Sequence, residues 1–138
     1  MKLYEERIAR YTGYLRIETP DLKQTGSLSQ NLVKEREGEL ILKSVKPSDY
    51  LVLMDEKGEE MTSVEFARFL EKRTVAGSKS ITFAMGGPYG FSPRVYQRAD
   101  MKFSLSKMTL PHQLARIFFV EQLYRAFTII NGEPYHHI

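Results

Sequence analysis

Apolar positions along this chain change period several times, and each change predicts an element. Tyr4 to Arg10 carries the end of a helical pattern. Tyr14-Leu15-Arg16-Ile17-Glu18-Thr19 alternates at period two and predicts a strand stopped by Pro20. Asp21 to Gly26 is a polar loop. Ser27-Leu28-Ser29-Gln30 has capping-box spacing and predicts a helix to about Ser44. Leu32, Val33, Leu40 and Ile41 face inward there, the charges from Lys34 to Glu37 face solvent, and Gly38 weakens the helix slightly. The run Tyr50 to Met54 predicts a strand that Asp55-Glu56-Lys57-Gly58 ends. Thr62-Ser63-Val64-Glu65 predicts a second capped helix to about Arg73, with Phe66, Ala67 and Leu70 on one face. Ala76-Gly77-Ser78 turns into a strand from Ser80 to Met85, which breaks at Gly86-Gly87-Pro88-Tyr89-Gly90. Ser92-Pro93 caps a short helix to Ala99, and a strand follows near Phe103. Pro111 opens the longest helix, to about Ile130, and Asn131-Gly132-Glu133-Pro134 stops it. Tyr135-His136-His137-Ile138 is then expected to lie outside the core and move freely.

Strands alternating with helices predict an α/β fold with a mostly parallel sheet. Without internal repeats or a low-complexity linker, residues 1–138 read as a single domain. Two predicted strands end in loops of glycine, serine and threonine, at Gly86 to Gly90 and at Ser106 to Pro111. Ligands of open α/β sheets bind outside such strand ends, and glycine admits them close to the backbone. The pattern therefore predicts a small-molecule pocket made largely of main chain. Ile117-Phe118-Phe119-Val120 makes the long helix apolar all round, which predicts burial on more than one side, by its own sheet and by a partner subunit.

Composition narrows the chemistry mainly by exclusion. With no cysteine, disulfides, thiolate metal sites and cysteine nucleophiles are ruled out. No run is apolar enough to span a membrane, and the charged start lacks the apolar core of a signal peptide, so the expected location is cytoplasmic. The net charge of +3 is mild, but Phe91 to Ile138 holds six Lys/Arg against three acids, which suits a polyanionic partner. The three histidines, 112, 136 and 137, have no metal-ligand spacing with acids, so no metal is expected. Gly86 to Gly90 meets neither the dinucleotide nor the phosphate-loop spacing, and no nucleophile elbow is present. Asp55-Glu56 reads as solvated turn chemistry. Glu121 and Arg125, at i and i+4, form either a helix salt bridge or a pair that positions a ligand or partner.

Four motifs add a resemblance that spans nearly the whole chain. They are Met85-Gly86-Gly87-Pro88-Tyr89-Gly90, Leu105-Ser106-Lys107-Met108-Thr109-Leu110-Pro111-His112, Glu121-Gln122-Leu123-Tyr124-Arg125-Ala126-Phe127 and Glu133-Pro134-Tyr135-His136. In that order they resemble the ribosomal RNA large subunit methyltransferase H family of the SPOUT superfamily. The resemblance implies an α/β knot with a C-terminal trefoil knot, working as a homodimer. It also implies methyl transfer from S-adenosylmethionine to N3 of a pseudouridine in large-subunit rRNA, free or in the assembled ribosome. Carried over by motif, the cofactor contacts fall at Met54, Gly86, Leu105, Ser106, Lys107, Met108, Thr109 and Leu110. His112, Tyr135 and His136 are candidates for the base that removes the N3 proton, and the residues do not choose among them. Lys107, Arg125, Tyr135 and His136 are candidates for contacting RNA. Family members open with an apolar strand, whereas Met1 here falls inside the first helix, so the first family strand is expected to be missing. That departure favours a rival reading, a knotted dimer that binds cofactor or rRNA without turnover.

Overall fold

The computed structural model describes residues 1–18, 29–77, 80–86 and 89–137. Thr19 to Leu28, Ser78, Lys79, Gly87, Pro88 and Ile138 lie outside the described residues, and with them the stop at Pro20, the polar loop and the first half of the Ser27 capping box. In chain order the elements are α1 (Lys2–Ile8), α2 (Gln30–Ser44), β1 (Tyr50–Glu60), α3 (Ser63–Val75), β2 (Ile81–Met85), α4 (Pro93–Arg98), β3 (Met101–Ser104) and α5 (His112–Ile130). They group into two compact units, one of Met1–Arg16, Glu60–Gly77 and Ser104–Ile138, the other of Ile17–Glu59 and Ser78–Phe103.

The second unit holds the sheet, in the order β2-β1-β3. β1 and β2 are parallel, paired from Tyr50 with Ile81 to Met54 with Met85. The helices joining successive strands make this the expected α/β arrangement. Leu51, Leu53, Ala84, Phe91 and Val95 form its core, with Ile41, Leu42, Val45 and Ala99 packed against them. A polar clamp fixes the start of β1. The Leu51 amide donates to Asp100 Oδ2 at 2.8 Å and the Asp100 amide to the Leu51 carbonyl at 2.8 Å. Arg98 pairs with Asp100 at 3.2 Å and also donates to the carbonyls of Lys46 and Asp49.

Two glycines set the spacing of this unit. Gly38 is buried on α2 where α4 crosses, and a Cβ there would stand 2.5 Å from Ser92 Oγ and 3.0 Å from Val95. The glycine expected to weaken α2 is therefore what lets α2 and α4 approach. Gly58 explains why β1 runs on to Glu60 instead of ending at Met54. A Cβ there would meet the main chain of Lys102 and Phe103 at 2.6 to 2.9 Å. Glycine here permits a close backbone approach within the sheet, a role that turn composition conceals.

The first unit is helical. α1 and α3 both pack on α5. α3 begins with the expected reciprocal capping box, Thr62 Oγ1 accepting from the Glu65 amide and Glu65 accepting from the Thr62 amide. Phe66, Ala67 and Leu70 are buried as predicted, and Phe66 meets Phe119 edge-on at 6.4 Å. The Ser63 hydroxyl donates to Gln122 Oε1 at 2.6 Å. Residues 13–18 form no strand, contrary to their alternation. Leu15 and Ile17 are 80% and 57% exposed, while Tyr14 and Arg16 bond to Glu5 at 2.6 and 3.0 Å. Side-chain bonds to α1 hold Tyr14 and Arg16 in place, and the apolar half of the pattern faces outward. Of the all-apolar stretch on α5, Phe119 and Val120 are buried but Ile117 and Phe118 are 43% and 39% exposed. With Leu114 they make an exposed stripe at i, i+3 and i+4. No described helix is long and apolar enough to cross a membrane.

The two glycines generate a stability prediction. Alanine normally gains about 1 kcal/mol over glycine inside a helix. At Gly38 the Ser92 cap stands in the way, so Gly38→Ala should instead lose about 1 kcal/mol, since overpacking costs about 1–3 kcal/mol. Gly58→Ala should lose more, about 3 kcal/mol, because main chain yields less readily than a side chain. Urea unfolding midpoints of the two variants check both the sign and the order.

Candidate functional site

The four-residue repeat of α5 brings Glu121 and Arg125 together on one face, and the chain past α5 closes over them. Gly132, with φ of 68°, reverses the chain after Asn131. Tyr135 then returns to α5 and stacks edge-on against Tyr124, ring centroids 4.8 Å apart. Its hydroxyl donates to Glu121 Oε1 at 3.1 Å, and the Arg125 guanidinium lies 4.8 Å over its ring. The same Glu121 oxygen accepts from Arg125 Nε at 2.9 Å and Nη2 at 2.7 Å, while Oε2 accepts from Gln122 at 3.0 Å. Arg125 Nη1 lies 2.9 Å from His136 Nδ1. Tyr135 and His136 are therefore docked, not freely moving as their position after a helix stop predicts. Aromatic packing and a charged pair hold them, and neither is visible in a run of four residues.

These contacts decide which atoms donate and which accept. Arginine offers only donors, so His136 Nδ1 must accept, and the neutral ring carries its proton on Nε2. Burial, hydrogen bonds to Tyr4 and Glu121, and the Glu121 charge push the Tyr135 phenol up to about 12. It is a hydrogen-bond donor at neutral pH, not a base.

The segment after β3 is fixed differently. Residues 105–111 form no helix or ladder, so their main-chain groups stay free of regular pairing. The Ser104 hydroxyl, buried, donates to the Ser106 carbonyl at 3.0 Å, and Ser106 Oγ accepts from the Met108 amide at 2.9 Å. Leu105, Ser106 and Leu110 are half-buried; Lys107, Met108 and Thr109 are exposed. Lys107 makes a surface pair with Glu60 at 3.4 Å. A shaped main chain with half-buried apolar side chains suits an adenine-bearing ligand. In the other unit, Met54 ends the part of β1 paired with β2 and Gly86 follows β2, both half-buried. The space beside Gly86 is filled from within. A Cβ there would stand 3.1 Å from the Phe91 ring and 3.3 Å from the Gly90 carbonyl, so a side chain at this position meets Phe91 before any ligand.

The structure thus brings together Arg125, Tyr135 and His136, and it leaves His112 apart. His112 is the exposed first residue of α5, and at 1.5 Å per residue it lies about 20 Å along the axis from Arg125. Arg125 is already engaged by Glu121, Tyr135 and His136, so it organises the tail before it could grip a phosphate. Asp55 proves to be more than turn chemistry. Besides accepting from the Lys57 amide it accepts from the Tyr96 hydroxyl at 2.7 Å. Burial alone would raise its carboxyl, but that hydroxyl, the Lys57 amide and the cations of Lys102 and Lys57 bring it below the ordinary value. The i, i+4 spacing leaves Glu121 and Arg125 between a helix salt bridge and a positioning pair, and it cannot show that Glu121 also takes the Tyr135 hydroxyl. Among the described residues no three His, Asp or Glu side chains group as metal ligands.

Comparison with known proteins gives this geometry a context. The model of a family described as "Predicted SPOUT methyltransferase" matches residues 1–136. Curated proteins called "Ribosomal RNA large subunit methyltransferase H" are similar over almost all of the chain. The one from Christiangramia forsetii is 52% identical over 99% of this chain and 87% of its own length. Those from Parabacteroides distasonis and Bacteroides fragilis are 52% and 53% identical, each over 97% of this chain and 85% of its own length.

The docked tail predicts an alkaline signature. The Tyr135 phenol is raised in the folded state from the ordinary 10.0 to about 12. Its docking therefore contributes fully below the free value and is lost as pH rises through the folded one. In a spectrophotometric titration, the phenolate present in wild type and absent in Tyr135→Phe should appear near pH 12 and not near 10.

Proposed function

The chain belongs to the SPOUT methyltransferase family, and from that membership we propose that it methylates N3 of a pseudouridine in large-subunit rRNA. The observation that carries the reading is the joining of Arg125, Tyr135 and His136 on Glu121, in a chain about half identical to proteins named for rRNA methylation. S-adenosylmethionine, as the methyl donor, supplies an activated methyl group on a sulfonium sulfur. Its contacts are assigned to Met54, Gly86 and the segment Leu105, Ser106, Lys107, Met108, Thr109 and Leu110. Main-chain groups there would supply hydrogen bonds to the adenine, and Met54, Leu105 and Leu110 apolar surface. The location is taken as the cytoplasm, where rRNA is made, and residues 1–138 as one methyltransferase domain with the family's trefoil knot.

The reaction asks the protein chiefly to hold the acceptor nitrogen close and in line. His136 offers an aromatic face and a donor, the Nε2–H, since the Tyr135 phenol already gives its single proton to Glu121. Both suit a base whose imide carbonyls gather negative charge as the N3 proton leaves to solvent water. Lys107 supplies positive charge for phosphates. The exposed Leu114, Ile117 and Phe118 stripe supports a homodimer, in which one subunit's tail serves its partner's pocket. This arrangement also gives His112 a place, since within one subunit it stands far from the tail. A second reading, a dimer that binds cofactor or rRNA without turnover, is favoured by one observation. Neither Tyr135 nor His136 Nδ1 is free to accept the N3 proton in the docked tail.

Gly86→Val is a poor probe of the pocket, because Phe91 already occupies the space it would fill. Met54→Ala and Leu110→Ala should instead each weaken S-adenosylmethionine binding about tenfold by calorimetric titration, the loss of about 1.4 kcal/mol of apolar packing. Unchanged affinity in both would remove the pocket assignment. Deleting Tyr135 to Ile138 should lower the thermal midpoint by a few degrees, since Tyr135 packs on Tyr124, while leaving cofactor affinity within about threefold. Single-turnover methylation of ribosomes should fall below about a hundredth of the wild-type rate. Equal rates with and without the tail would exclude it from the site. Cofactor binding by both proteins with methylation by neither would favour the second reading.

A further inference from the structure

We propose that Glu121 is a positioning residue for the tail, fixing His136 through Arg125 as the neutral tautomer that presents Nε2–H. The inference rests on the methyltransferase reading and deepens it. Glu121 reaches the tail by two routes. One is direct, from Oε1 to the Tyr135 hydroxyl. The other runs through Arg125, whose Nε and Nη2 are both spent on the same oxygen. That double bond orients the plane of the guanidinium and aims Nη1 at His136 Nδ1. A guanidinium cannot accept, so the aim selects the tautomer. The carboxylate is itself held from behind, with Gln122 donating to Oε2 and receiving the Ser63 hydroxyl from the start of α3. A capped helix start is thus connected, through three side chains, to the donor that the tail offers.

The geometry explains why the site carries an acid that never meets substrate. Without the Glu121 charge, Arg125 would be free to turn away and Nδ1 would lose its obligate donor. The imidazole would then sample both neutral tautomers and lose its fixed orientation, presenting a lone pair or a misdirected ring where the reaction needs a donor.

Glu121→Gln tests this in the full-length protein, because the amide keeps the size but replaces an acceptor-only group. Long-range proton–nitrogen NMR should show His136 of wild type as the Nε2–H tautomer at neutral pH and that of Glu121→Gln as a mixture. Single-turnover methylation of ribosomes should slow by about tenfold or more, while S-adenosylmethionine affinity stays within about twofold. In a His136→Ala background the same substitution should cost little further, as expected of residues acting through one another. Glu121→Asp, which keeps the charge but draws it back, provides the same readouts if the glutamine variant unfolds. An unchanged tautomer, or an equal cost with and without His136, overturns the proposal. Failure of the underlying reading looks different: wild-type protein would then show the tautomer yet methylate nothing.

Discussion

Helix α5 has to bury its second half on several sides while its first half buries almost nothing, and the first unit is arranged around that asymmetry. From Phe119 onward it receives α3 on one side and α1 on another. Tyr124 is the focus. Tyr4 packs on it at 5.9 Å, Tyr11 at 6.4 Å and Tyr135 at 4.8 Å, with Arg7 over its ring. Tyr11 also stacks on Phe127 and donates to Glu133. With Tyr4 and Tyr11 already on this ring, Tyr135 takes a remaining side of it, and that seat places Tyr135 and His136 beside Arg125. Packing and site geometry are here the same contact.

Electrostatics makes the seat selective. Glu121 and Arg125 are partly withdrawn from water, where a lone charge is costly and a pair is tolerated only if its remaining groups are bonded. The carboxylate meets that condition by taking Arg125, Tyr135 and Gln122 together. Removing one partner therefore costs more than the pair contributes, since the other charge stays where it is. Asp55 in the second unit follows the same rule on a smaller scale, with Tyr96 as its donor and Lys102 over the Tyr96 ring.

What was legible in the sequence follows the range of the forces involved. The capping box at Thr62 and Glu65 and the Ser92-Pro93 helix start are set by neighbours within four residues. Each is found where the pattern placed it. Errors arose where a distant group decides. Leu15 and Ile17 alternate like a strand, but Glu5 claims Tyr14 and Arg16. Asp55 to Gly58 is composed like a turn, yet Gly58 is where β3 comes closest. Of the site, the motif resemblance named Arg125, Tyr135 and His136 together. It could not show that Tyr135 is a held phenol or which nitrogen of His136 is free, because those depend on Glu121 and Tyr4 at 14 and 131 residues' remove from Tyr135.

The Tyr11 hydroxyl bonds to Glu133 across 122 residues of chain. Such a contact dictates an order of events during synthesis. The segments of the second unit are all made by residue 103, whereas α1 has no surface to lie on until α5 exists. At about 5–20 residues per second, α1 must wait at least several seconds with Tyr4, Ile8 and Tyr11 exposed. Contacts so far apart in sequence close late and slowly. A helix made well before α5 is thus housed only once α5 has appeared.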